Sequence, residues 1–157
     1  MADIFIKIDG ITGESQDTTH PDEIEVLGWN WKITQQSSMH SGSGRGAAKA
    51  AVSDLHFVHR IDRASPNLAS YCFRGTHVPK AVLTMRKAGG APLEYLKITL
   101  YDVIVSHVEP AANDGLDLEP VALSFARIKK EYVVQSATGG SRGTVTALID
   151  VKQNNVS

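Results

Sequence analysis

Several groups of residues in this 157-residue chain have types and spacings that could support chemistry. Gly139-Gly140-Ser141-Arg142-Gly143 has the G-x-S-x-G form of a nucleophile elbow, whose serine must sit on a sharp turn between a strand and a helix. Here the residues that follow alternate as a strand does. The last histidine is His107, so the order serine, acid, histidine cannot be completed, and a hairpin turn fits better. His56 and His59 stand three apart, a spacing that converges on a metal from a helix but points to opposite faces of a strand. His20, His40, His77 and His107 are scattered through loops and strand ends, where solvated or internally satisfied rings are expected. Gly42-Ser43-Gly44-Arg45-Gly46-Ala47-Ala48-Lys49 has the composition of a phosphate-cradling loop. Its lysine does not directly follow a glycine, though, and no Ser or Thr follows it to hold magnesium. Asp114, Asp117 and Glu119 lack the calcium-loop pattern and read as a solvated acidic loop. Cys72, flanked by Tyr71 and Phe73 with no His or Lys beside it, reads as a small buried apolar residue rather than a reactive thiol. These failures imply no catalytic residue, no cofactor and no metal, and a protein that is not an enzyme.

Composition narrows the partners. With 16 basic and 17 acidic side chains the charge nearly cancels, so no chain-wide field draws the protein to nucleic acid or an anionic membrane. A single cysteine excludes an internal disulfide framework and suits a reducing cytoplasm. The opening Met1-Ala2-Asp3-Ile4-Phe5-Ile6-Lys7 is not a basic leader with an apolar stretch, and no uncharged run is long enough to span a bilayer. A cytoplasmic protein is therefore expected, exported, if at all, without a cleaved signal peptide.

The elements that would position these residues are mostly strands. Ile4, Ile6 and Ile8 face one way against Phe5, Lys7 and Asp9, a half-buried first strand closed by Gly10. After a polar loop over 12–22, Ile24 and Val26 are in one phase and Leu27, Trp29, Trp31 and Ile33 in the other, so a bulge is expected at Leu27-Gly28. Trp29 and Trp31 share a face and read as core or interface, leaving Asn30 and Lys32 on the opposite face. The stretch 37–49 is too rich in Gly and Ser to pack a core and too long for a hairpin turn, and reads as a protruding arm between two strands. Leu55, Phe57 and His59 alternate with Asp54, His56 and Val58 in a further strand. Ser65-Pro66-Asn67 starts a helix, with the serine as cap and proline at the first turn. Leu68, Ala69, Tyr71 and Cys72 form its apolar stripe and Gly75 its stop. Strands follow over 81–87 and 93–108. In the second, Ile98, Leu100 and Ile104 lie on one face and Tyr101, Val103 and Val105 on the other, so both faces ask for cover by the helix or another subunit. Val121, Leu123 and Phe125 begin a strand that continues to Val134, and a Gly-rich turn leads to Val145, Ala147, Ile149 and Val151. About seven strands and one helix in a chain of this length imply one domain over 1–157. The fold class is mainly β, a barrel or sandwich of antiparallel strands with one short flanking helix.

An ordered set of segments resembles the haemolysin co-regulated protein (Hcp) family, the tube subunit of bacterial type VI secretion. They are Phe5-Ile6-Lys7-Ile8-Asp9-Gly10, Gly13-Glu14-Ser15, Ile24-Glu25-Val26-Leu27-Gly28-Trp29-Asn30-Trp31, Ser38-Met39-His40-Ser41-Gly42, Ile61-Asp62-Arg63-Ala64-Ser65-Pro66-Asn67-Leu68, and Arg86-Lys87-Ala88-Gly89-Gly90 followed by Leu93-Glu94-Tyr95-Leu96. The resemblance runs nearly end to end. It implies a β-barrel similar to phage tail-tube proteins, assembled as a homohexameric ring. Rings would stack into a tube inside a contractile sheath, carry small effector proteins in the lumen, meet a tail-spike (VgrG-like) protein and be expelled on firing. It also implies that Ser37-Ser38-Met39-His40-Ser41-Gly42-Ser43-Gly44-Arg45 form the ring-stacking loop and that Asn30 and Lys32 face the channel. The competing interpretation is a monomeric β-sandwich module for carbohydrate, with Trp29 or Trp31 as platform. It requires an exposed tryptophan.

Overall fold

A computed structural model describes residues 2–35, 50–87, 92–137, 140–152 and 155–156. In chain order its elements are β1 (Ala2–Ile8), β2 (Ile24–Glu25), β3 (Gly28–Asn30), β4 (Ile33–Gln35), β5 (Ala50–Val52), β6 (Leu55–Arg60), α1 (Ser65–Arg74), β7 (Val78–Lys87), β8 (Leu93–Val108), β9 (Ala111–Asn113), β10 (Leu116–Gln135), β11 (Ser141–Asp150) and β12 (Asn155–Val156). Every strand pair is antiparallel. The sheet runs β1, β7, β8, β10, β6, β3, and closes because the short run 24–30 changes partner. Its first part, β2, pairs with β1, while its second, β3, pairs with β6. The phase slip in the sequence at Leu27-Gly28 is therefore a change of strand partner and not a bulge. The Leu27 N–H donates to the Val58 carbonyl and the Val26 N–H to the Ile4 carbonyl, one residue apart on opposite sides of the seam. Closing the barrel pairs strands that an open antiparallel sheet would leave at its edges, while β11 and β12 extend beyond it from β10.

The interior holds Ile6, Ile8, Ile24, Leu55, Phe57, Leu83, Ile98, Leu100, Val103, Val105, Val121, Leu123 and Ile128, all nearly inaccessible to solvent. On β8 the two apolar phases share one destination. Ile98 and Leu100 point inward, Asp102 takes a left-handed backbone (φ 56°), and Val103 and Val105 then point inward too. The neighbouring strands match this three-residue step, with Val78 and Ala81 opposite Val103 and Leu100 on β7, and Ile128 opposite Leu100 on β10. The expectation that both faces of β8 need cover is corrected accordingly. A barrel corner at Asp102 swaps the phase, and only Ile104 is left half in water.

The helix departs from expectation at its start. Its cap is Ala64, without a capping side chain, and Pro66 sits in the first turn. The Ser65 hydroxyl instead donates to Glu119 Oε1 and accepts from the Asp62 N–H, while Asp62 Oδ1 accepts from the Ala64 N–H. The helix stops at Gly75 in the left-handed conformation (φ 63°). Leu68 is fully buried, Tyr71 and Cys72 pack at the core's margin, and Ala69 is exposed, contrary to the expected stripe.

The 12–22 loop is ordered. Gly13 and Ser15 donate backbone N–H bonds to the carbonyls of Asp22 and Glu23, and a Cβ on Gly13 would lie 2.5 Å from the Glu23 carbonyl oxygen, so only glycine fits. The loop covers Phe5, which is buried although its neighbours Lys7 and Asp9 on the outward face are not. The expected acidic loop at 113–119 is a β-hairpin turned at Asp114-Gly115, both with positive φ. Among the described residues no helix is long and apolar enough to cross a membrane.

Candidate functional site

Directly opposed residues of an antiparallel sheet project to the same face. Asn30 on β3 faces His56 on β6, His56 faces Ala122 on β10, and Ala122 faces His107 on β8, so these four form one row on the barrel's outward face, with Ala122 buried and the other three exposed. The row is flanked by polar contacts: Ser106 Oγ donates to Asp54 Oδ2 at 2.6 Å, and His107 Nε2 meets Glu109 Oε1 at 3.0 Å. The residues paired one step along, Trp29, Phe57 and Val121, turn inward. Trp29 is partly buried against the core, and its indole N–H points at Met85 Sδ 3.2 Å away. Leu27 and Ile33, expected in the tryptophan row, are instead about half exposed, at 55% and 46%.

Asn30 and Lys32 are both exposed, as the alternation requires. Lys32 marks a neck: its N–H donates to Ser53 Oγ, and its carbonyl accepts from the Ser53 N–H. Beyond the neck β4 and β5 pair as a two-stranded ribbon, Ile33 opposite Val52 and Gln35 opposite Ala50. The proposed stacking loop, Ser37 to Arg45, lies outside the described residues. The described residues that flank it, Gln35 and Ala50, are directly paired in the ribbon.

Two histidine clusters escaped the sequence reading. His59 is wholly buried, with Nε2 2.7 Å from Glu119 Oε1 and Nδ1 3.5 Å from Asp62 Oδ2, an ion-pair distance without hydrogen-bond geometry. Burial favours the neutral ring, but the carboxylates of Asp62 and Glu119 together outweigh it and hold the His59 pKa above its ordinary 6.5. Glu119, expected in a solvated loop, is 1% exposed and ties β10 to β6 and to α1 through Ser65. In the second cluster His20 stacks on Phe5, with ring centroids 4.7 Å apart, and lies between Glu23 (3.0 Å) and Glu94 (2.7 Å). Desolvation again opposes the charge, and the two glutamates again prevail, raising its pKa. Arg86 lies over Phe5, with its guanidinium carbon 5.2 Å from the ring centroid. It donates to both oxygens of Asp17 (2.7 and 2.9 Å) and to Asp3 (3.0 Å). Its hydrogen bonds hold the Asp17 carboxyl far below the usual range. No nucleophile stands in either cluster beside an unoccupied base. They fasten the 12–22 loop and α1 to the barrel. The sequence cue was only the isolated His20-Pro21 in a polar loop, because each partner but Glu23 and Asp62 is remote along the chain.

The serine and histidine spacings weighed in the sequence fall at hairpin and strand positions. Ser141 opens β11 opposite Gln135, and its hydroxyl accepts from the Gly143 N–H, a hairpin arrangement. His56 is exposed and His59 buried, on opposite faces of β6. Among the described residues no group of three or more His, Cys, Asp or Glu side chains is placed to hold a metal.

A family model described as "Type VI secretion system effector, Hcp" matches residues 5–132. Protein hcp1 of Pseudomonas aeruginosa is 48% identical over 144 residues, covering 90% of this chain and 89% of its own. Among solved structures, Hcp1 from Salmonella typhimurium superposes with a TM-score of 0.82 at 52% identity, covering 99% of both chains. A structure described as a type six secretion system protein gives 0.90 at 27% identity over the full length of both.

Proposed function

The chain belongs to the Hcp family of type VI secretion proteins, and from that premise we propose that it is a non-enzymatic ring subunit working through its surfaces. Six copies close into a ring, rings stack into the inner tube within the sheath and under a spike protein, and small effector proteins ride in the lumen. The assembled protein leaves the cell on firing. The observation that carries this proposal is the exposed polar row of Asn30, His56 and His107 beside the neck at Lys32. It offers hydrogen bonds and no apolar anchor, which suits a wet channel wall that must hold cargo loosely. Asn30 and Lys32 accordingly face the lumen, and 37–45 reaches the next ring.

Subunit contact needs apolar surface outside the barrel, and the described residues supply it at several places, the helix and the β10–β11 hairpin among them. Phe73 on α1 is 91% exposed, and on the β10–β11 hairpin the opposed pair Tyr132 and Val145 is 45% and 65% exposed. These replace the second face of β8, which the barrel corner uses up. Light scattering after gel filtration gives a mass six times that of the 16.9 kDa chain under this proposal. A monomer at high concentration contradicts it. A monomeric carbohydrate module is disfavoured by Trp29, whose ring is taken up by the core and Met85.

A further inference from the structure

The surroundings of His20 fix its protonation state by geometry. The residue is 8% exposed, and each ring nitrogen lies within hydrogen-bond distance of a carboxylate oxygen, Nδ1 at 3.0 Å from Glu23 and Nε2 at 2.7 Å from Glu94. A neutral imidazole has a single N–H, so one of its nitrogens would turn a lone pair toward a carboxylate. Only the imidazolium donates to both. The two bonds reach different parts of the fold, since Glu23 lies just before β2 while Glu94 is on β8, 74 positions along the chain from His20. The same ring stacks on Phe5, nearly parallel at an interplanar angle of 13°. The side chain that carries the proton is therefore also the one that shields the apolar ring.

The neighbouring charges leave Glu94 to His20. Asp3, Arg86 and Glu94 stand in one row across β1, β7 and β8, but the Arg86 guanidinium is engaged by Asp3 and by both oxygens of Asp17. On β1, Lys7 borders the surface pocket that Glu23 also lines, and on β2, Glu25 is opposed to Phe5. Asp17 adds a further carboxylate behind the ring, where it accepts the His20 backbone N–H at 3.1 Å. Acids thus outnumber Arg86 and Lys7 around the imidazole. Burial opposes the charge on the ring, and Glu23 and Glu94 outweigh it, which raises the His20 pKa above 6.5.

We propose that one proton on His20 latches the 12–22 loop to β8 over Phe5, and that its loss frees residues 18–22 and uncovers the Phe5 ring. The latch is complete below pH 6.5 and is lost as pH rises through the raised His20 value. The tether from Asp17 to Arg86 does not titrate in that range, because the Asp17 carboxyl is held far below its usual values. It serves as the hinge about which the segment opens. Two measurements on the full-length protein test the latch. Nitrogen NMR of isotope-labelled histidine at pH 6.5, where a free imidazole is half neutral, is expected to show both His20 nitrogens protonated, with His20→Gln identifying the signals. A neutral tautomer there overturns the proposal. Hydrogen exchange of residues 16–22, read by mass spectrometry and corrected for its intrinsic pH dependence, should show constant protection below pH 6.5. Above the His20 midpoint protection should fall by about tenfold per pH unit while β10 stays protected. Glu94→Gln should move the midpoint down toward 6.5, and His20→Gln should leave the segment open at every pH. Constant wild-type protection between pH 6 and pH 9, or a His20→Gln profile that follows the wild type, overturns the latch. Protection lost from β10 together with the loop overturns it as well, since the release is then global unfolding.

Discussion

Replacing Glu119 by Gln removes a buried charge while keeping shape. Two hydrogen bonds end on its Oε1, from His59 Nε2 at 2.7 Å and from Ser65 Oγ at 2.9 Å. Bonds to a charged group contribute about 1.5–3 kcal/mol and neutral ones about 0.5–1.5, so exchanging them costs about 1–3 kcal/mol in total. With a urea m-value of about 1–3 kcal/mol/M for a domain of this size, the midpoint falls by about 1 M. The pH dependence gives the sharper test. Because the folded His59 pKa lies above 6.5, its charge stabilises the fold fully below 6.5, and that stabilisation is lost as pH rises through the raised value. In Glu119→Gln only Asp62 still raises it, so the gap between wild type and variant is widest near pH 6 and narrows toward pH 9. Urea titrations at fixed protein concentration across that range measure the gap. A gap independent of pH, or one that widens in alkali, refutes the assignment of a charged His59 between two carboxylates.

Other perturbations probe the fold's remaining joints. Leu68→Ala, at a fully buried helix position, should cost about 2–5 kcal/mol in chemical denaturation, whereas Phe73→Ala, at 91% exposure, should leave the subunit's own stability within about 0.5 kcal/mol and weaken only its association. Asp102→Gly should be tolerated, but Asp102→Val, which places a β-branched residue at φ 56°, should lose about 1–3 kcal/mol by thermal melting. Asp17 accepts the N–H groups of Thr19 and His20 and is held far below its ordinary 3.8 by Arg86. The loop's stabilisation is therefore present above 3.8 and lost only as pH falls through the depressed value. Hydrogen-exchange protection of those two amides should survive at pH 3.8 in the wild type and fail there in Arg86→Gln. Tryptophan emission should be blue-shifted and unmoved by added sugars.

The parts of this molecule legible in the sequence are those governed by local periodicity. Ile6 and Ile8, the stop at Gly75, the strand phase of His56 against His59, and the exposure of Asn30 and Lys32 all follow from residues a few positions apart. Several misreadings depended on a partner remote in the chain, and others on a backbone conformation that side-chain alternation does not show. Phe5 faces outward yet is buried, because a loop pinned by Arg86 folds over it. Leu27 is apolar and exposed, because the chain changes strand partner there. Glu119 is buried because His59 awaits it, 60 residues earlier. β8 was read as two-faced because a left-handed Asp102 is invisible to an alternation count. As for the candidate site, alternation placed Asn30 on an exposed face, but only the strand register shows that His56 and His107 join it.

The central claim is a ring whose wall is built from these barrels, and negative-stain electron microscopy of the purified protein tests it most directly. The account predicts rings with sixfold averages and a stain-filled central hole, some stacked end to end. Uniform particles of single-subunit size, without a hole at any concentration, would contradict it.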